Sequence, residues 1–140
     1  MPFEKRRTTT RTEIICLAAK HFTEKGYDCP VTTLISKELN IRQGNITFYF
    51  PTKEHLFSVV VGELCDFQRE LMEREAGEGY SDLLSYCLEL TSMTAACEAD
   101  EVARSFFRAA YASPMTLDII RESDTEKTKA VYNRKRICTG

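Results

Sequence analysis

The stretch IRQGNITFYFPTKEHL, Ile41–Leu56, decides how the rest of the chain is read. Phe48, Tyr49 and Phe50 stand in a row between Gly44 and Pro51. By propensity alone ITFYF is a strand. Its setting among helix signals makes it the second half of a short helix instead. Pro51 stops that helix, and Thr52 caps the next one with Lys53 and Glu54 in its first turn. Polar residues at the start of a short helix and aromatics at its end suit a recognition helix. The polar side chains are free to face base edges while the aromatics anchor the helix to its domain.

Working back from this stretch, Thr10 followed by Glu13 is a capping box. Ile14, Ile15, Ala18, Ala19 and Phe22 then fall at helical spacing. Lys25 sits in the last turn, and Gly26 closes the helix in the left-handed conformation. The connector from Tyr27 to Val31 contains Pro30, and a second helix follows from Thr32 or Thr33 to Leu39. Asn40 has two competing readings. It is either the positive-φ residue of a tight inter-helix turn or the cap of the third helix, with Gln43 three residues on. Residues 1–8, with Lys5, Arg6 and Arg7, read as a flexible basic arm able to reach phosphates or a minor groove, with Arg11 just beyond. A plainly solvated terminus reads equally well.

Working forward, Thr52 opens a long helix to about Glu75, striped by Leu56, Val60, Leu64, Phe67 and Leu71 and widened by Phe57 and Val61. Ala76–Tyr80, with Gly77 and Gly79, is the clearest break. Ser81 caps a fifth helix to about Ala96, and a sixth runs from about Asp100 to Ala112. Ser113–Pro114 is a strong start for a last helix, and Asp124–Gly140 reads as part helix and part frayed end.

Composition sets the outer bounds. The chain has 140 residues, 43% of them hydrophobic, and no apolar run approaches the ~18 residues of a membrane span. No signal peptide is legible, because a polar stretch follows the basic start. The six cysteines form no C-x-x-C pair, and with two histidines available no metal-ligand spacing exists. They read as reduced core cysteines of a cytosolic protein. Residues 1–56 carry nine Lys and Arg against six Asp and Glu, a net +3, which leaves −5 of the overall −2 for the remainder. A basic front joined to an acidic back suits a nucleic-acid module attached to something else. No catalytic grouping of carboxylates, Ser/His/Asp or Cys/His is identifiable, so an enzyme is not expected and neither is a cofactor.

Residues 11–57 resemble the DNA-binding domain of the tetracycline-repressor (TetR) family of bacterial transcription regulators. The matching points are Ile15-x-x-Ala18-Ala19-x-x-Phe22-x-x-x-Gly26-Tyr27, then Ile35, then Ile41-x-x-Gly44-x-Ile46-x-x-x-Phe50-Pro51-x-Lys53-Glu54-x-Leu56. The chain departs from the family at four positions. Val31 stands where Thr is common, Asn40 where Gly is, Arg42 where a Ser cap is, and Thr47 where a phosphate-touching Tyr is.

The resemblance implies an all-α fold. A helix-turn-helix DNA-binding domain over residues 9–57, with the motif at about 32–51, would be joined by the long helix to a helical ligand-binding and dimerisation domain over 58–140. Family members usually run longer, so this chain is expected to be a truncated product or a fragment. It implies Arg42, Gln43 and Asn45 at base edges, since Gln and Asn suit adenine and Arg suits guanine. Gly44 would allow close approach, and Thr32, Thr33, Thr47, Tyr49 and Lys53 would hold phosphates. Ile35, Ile46, Phe50 and Leu56 are core, and Phe48 is a further core candidate. Tyr86, Met93, Phe106, Phe107, Tyr111 and Met115 would line a small-molecule pocket, with ordinary core as the competing reading. The implied partners are double-stranded DNA carrying a near-palindromic operator, an unknown small-molecule effector and a second copy of the chain, in the bacterial cytosol with no membrane. The competing reading is a TetR-like helical interaction module or truncated form without DNA binding.

Overall fold

The computed structural model describes residues 10–77 and 81–139, without the side chains of Ala76 and residues 134–139. The basic arm expected at residues 1–8 lies outside the described residues, as do Glu78, Gly79 and Tyr80 of the expected break. The described residues form helices α1 (Thr10–Lys25), α2 (Val31–Leu39), α3 (Gln43–Tyr49), α4 (Lys53–Gly77), α5 (Asp82–Ala99), α6 (Glu101–Ala112) and α7 (Pro114–Thr139). The all-α expectation holds.

Local chemistry explains most boundaries. Gly26 ends α1 at φ +85°, and its N–H donates to the Phe22 carbonyl at 3.0 Å. A Cβ there would also meet Ser105 Oγ at 3.2 Å, so the left-handed turn and the close approach of α6 both favour glycine. Thr52 Oγ1 accepts from the His55 N–H at 3.0 Å at the start of α4. Ser81 Oγ accepts from Leu84 N–H at 3.1 Å at α5, and Asp100 Oδ1 from Val102 N–H at 3.0 Å at α6. Pro114 takes the first position of α7, where its missing N–H is no loss.

Two expectations are corrected. Helix α2 starts at Val31 with Pro30 at its cap position, so neither Thr32 nor Thr33 caps it. Val31 is buried, and the helix that takes it into the core starts one or two residues earlier than expected. The C-terminal stretch, expected to be part helix and part frayed end, is one continuous helix to Thr139, and α7 packs against α4, α5 and α6. Leu83, Leu84, Leu88 and Leu90 of α5 are exposed, and Asp82 and Ser85 are its buried residues.

The core is continuous from the N-terminal helices into the rest. Ile14, Ala18 and Phe22 of α1, Val31 and Ile35 of α2 and Ile46 of α3 join Leu56, Phe57 and Val60 of α4 and Phe106 and Ala110 of α6. Helix α4 packs against α1, α5 and α7.

Candidate nucleic-acid interface

The candidate surface is α3, and its orientation follows from the turn before it. Asn40 adopts φ 52°, ψ 46°, the left-handed conformation. That settles its two readings in favour of the turn. Ser36 closes the turn twice. Its carbonyl accepts from the Ile41 N–H at 3.1 Å, and its hydroxyl donates to the Ile41 carbonyl at 2.7 Å. Arg42 is then the N-cap residue of α3, extended and with no side-chain cap bond. The capping Ser of the family pattern is absent, and Asn40 does not replace it.

Two residues pin α3 to the domain. Ile46 is fully buried and Phe50, its C-cap, is 1% exposed. They stand four positions apart, one face of a helix. Arg42, Gln43, Gly44, Asn45, Thr47, Phe48 and Tyr49 are all exposed. Apart from its chain neighbours and the helix's own backbone, no atom of the described residues lies within 4 Å of a Cβ built on Gly44, so the helix is open to approach there. Gln43 Nε2 donates to Thr33 Oγ1 at 3.2 Å, which ties the start of α3 to the first turn of α2. Thr47 Oγ1 donates to the Gly44 carbonyl at 3.1 Å within the helix. Thr32 and Thr33 are half-buried on the first turn of α2. Lys53 Nζ lies 4.5 Å from the Tyr27 ring centroid, where the ring face holds the ammonium by cation–π attraction. The predicted residues therefore gather at α3 and the starts of α2 and α4.

Phe48 is a correction. It is 81% exposed, on the outer face of α3, with its ring edge-on to Tyr49 at 5.3 Å. The signal was available: two positions from Ile46 is about 200° around a helix, nearly opposite the buried stripe. Arg11 joins the surface from α1. Its guanidinium lies 5.4 Å from the Phe50 ring centroid, close to the C-terminal end of α3.

The aromatics singled out in the second half divide. Met93, Phe106, Phe107 and Tyr111 line a cavity of about 600 Å³ between α4, α5, α6 and α7. Tyr86 and Met115 are not on its lining. Met115, the second residue of α7, is exposed, and the Tyr86 ring faces Lys127 Nζ at 5.8 Å. Among the described residues no group of three or more His, Cys, Asp or Glu is placed to hold a metal ion, and no helix is long and apolar enough to cross a membrane.

No protein-family model matches the chain, and no curated protein matches it. Among solved structures it is similar to CprB, a TetR family protein from S. coelicolor A3(2), at 26% identity and a TM-score of 0.53. The likeness covers 93% of this chain and 70% of CprB. The chain has the TetR-family fold.

Proposed function

We propose that the chain is a sequence-specific DNA-binding transcriptional regulator, a repressor released from its operator by a small molecule. The observation that carries this reading is α3 itself. Ile46 and Phe50 hold it from behind, and its remaining side chains stand in solvent. A helix presented in this way fits the B-DNA major groove, about 12 Å wide. In this reading Arg42, Gln43 and Asn45 meet base edges, and Gly44 lets the backbone come close. Thr32, Thr33, Thr47, Tyr49 and Lys53 bond phosphates, and Arg11 adds a cation at the far end of α3. Residues 9–57 act as the DNA-binding unit and residues 58–140 as the regulatory and dimerisation unit. Two copies read a near-palindromic operator in the bacterial cytosol, and no catalysis is involved.

One observation favours the second reading, a helical module without DNA binding. Thr47 stands where the family pattern has a phosphate-touching Tyr, and its short hydroxyl is turned back to Gly44. Affinity for duplex DNA measured against salt separates the two. A regulator loses affinity steeply with log salt and keeps a sequence preference. A module without DNA binding shows neither.

A further inference from the structure

The cavity between α4 and α7 carries an inference that rests on the effector reading above and gives the effector a chemical class. Its volume of about 600 Å³ suits a drug-sized molecule. Phe67, Phe106 and Phe107 supply aromatic wall, and four charged side chains lie on the lining: Glu75, Glu89, Asp124 and Lys127. Lys127 is already engaged. Its side chain is 2% exposed, with Nζ 2.6 Å from Glu89 Oε1 and 3.4 Å from Gln68 Oε1. That pair cancels. Asp124 and Glu75 are half-buried and have no ion pair among the described residues, which leaves the lining with an excess of two negative charges.

The surroundings respond to this field. Burial pushes the Tyr111 phenol up, and the Asp124 and Glu89 carboxylates push it further. The same ordering holds for Tyr86, where burial leads and Asp124 and Glu89 follow. A separate observation points to a missing polar group. Ser85 is 7% exposed and lines the cavity, and its Oγ has no hydrogen-bond partner among the described residues. A buried hydroxyl left without a partner is costly, and a bound polar group would relieve it.

We propose that this cavity binds an amphipathic organic cation, with its apolar body against the aromatic wall and its charge toward Asp124 and Glu75. Ring faces attract a desolvated cation, and an uncompensated carboxylate in a poorly solvated wall attracts it further. An anion would meet the same two carboxylates and would have to displace Glu89 from Lys127 to find a cationic partner.

Tetraphenylphosphonium and tetraphenylborate share one shape and carry opposite charge, so their binding to the full chain isolates the sign of the site. The cation is expected to bind at least about ten-fold more tightly. Asp124→Asn, with Glu75→Gln as a second isosteric variant, should reduce that preference several-fold while the circular-dichroism melt stays unchanged. Equal binding, a preference for the anion, or a preference indifferent to both substitutions overturns the cation assignment and leaves the ligand pocket standing. Binding of neither probe removes the pocket and the effector reading with it. DNA affinity measured without probe stands apart from all of these outcomes.

Discussion

The rings of Phe57 and Phe106 meet edge to face, with centroids 5.2 Å apart. Phe57 belongs to the start of α4 and also packs edge-on to Phe22 at 5.0 Å and Tyr27 at 4.8 Å. Phe106 belongs to α6, touches Phe107 and lines the cavity. Aromatic contact thus runs unbroken from the cavity wall to Tyr27, whose face holds Lys53. Removing Phe106 removes both core volume and this junction. We predict that Phe106→Ala lowers stability by about 3–5 kcal/mol, read from urea unfolding. A loss below about 1 kcal/mol would mean that the site repacks and the junction is dispensable.

The uncapped start of α3 gives a prediction of opposite sign. Arg42 accepts no amide proton at the N-cap position, where Ser would. Arg42→Ser should raise stability by about 0.5–1 kcal/mol, seen as a higher melting temperature. The same substitution removes a base-edge candidate, so sequence preference should weaken as stability rises. Parallel movement of the two, or no gain in melting temperature, would refute this account of the helix start.

Ile46 and Phe48 are neighbours on α3 with opposite duties. Ile46→Ala empties a fully buried site and should cost about 2–5 kcal/mol. Phe48→Ala touches an exposed ring and should change stability by no more than about 0.5 kcal/mol. Its effect should fall instead on duplex affinity and sequence preference, because thymine methyl groups offer apolar contact in the major groove. Thermal melts and binding isotherms on both variants check the pair.

Cys65 lines the same cavity, and burial pushes its thiol up, with Asp124 and Glu89 adding to this and Ser123 and Lys127 opposing it. The folded chain therefore holds this proton more tightly than the unfolded chain does. Its contribution to stability is complete below the ordinary thiol value of 9.0 and is lost as pH rises past it. Iodoacetamide at pH 8 should label the exposed Cys16 and Cys87 well before Cys65. Mass spectrometry of timed samples reads the order, and equal rates would contradict it.

The fold was largely legible because its punctuation is local. Gly26, Thr52, Ser81, Asp100 and Pro114 mark helix ends through groups that satisfy nearby backbone atoms, and such signals sit in the sequence itself. Two things were hidden because tertiary contacts set them. Val31 was drawn into the core, which started α2 ahead of both threonines. Phe48 was masked by its aromatic neighbours, although the spacing of Ile46 and Phe50 already pointed it outward. At the candidate site, residue types and spacing were readable. The contacts of Arg11 with Phe50 and Lys53 with Tyr27 join residues far apart in sequence, and no local pattern reveals them.

Phosphate contacts and base contacts should separate on mutation. Lys53→Ala should weaken binding to all duplexes alike and reduce the salt slope by about 1. Gln43→Ala should leave the slope unchanged and relax preference at one position of each half-site, at a cost of about 1–3 kcal/mol. A variant of Gln43 that changes only the slope would reverse the assigned roles.

The central claim is that α3 reads DNA sequence, and selection of bound duplexes from a random pool at moderate salt tests it most directly. We predict enrichment of an inverted repeat with half-sites one helical turn apart, about 34 Å, and its loss in a Gln43→Ala, Lys53→Ala double variant. A pool that emerges no different from that of the double variant would contradict the claim.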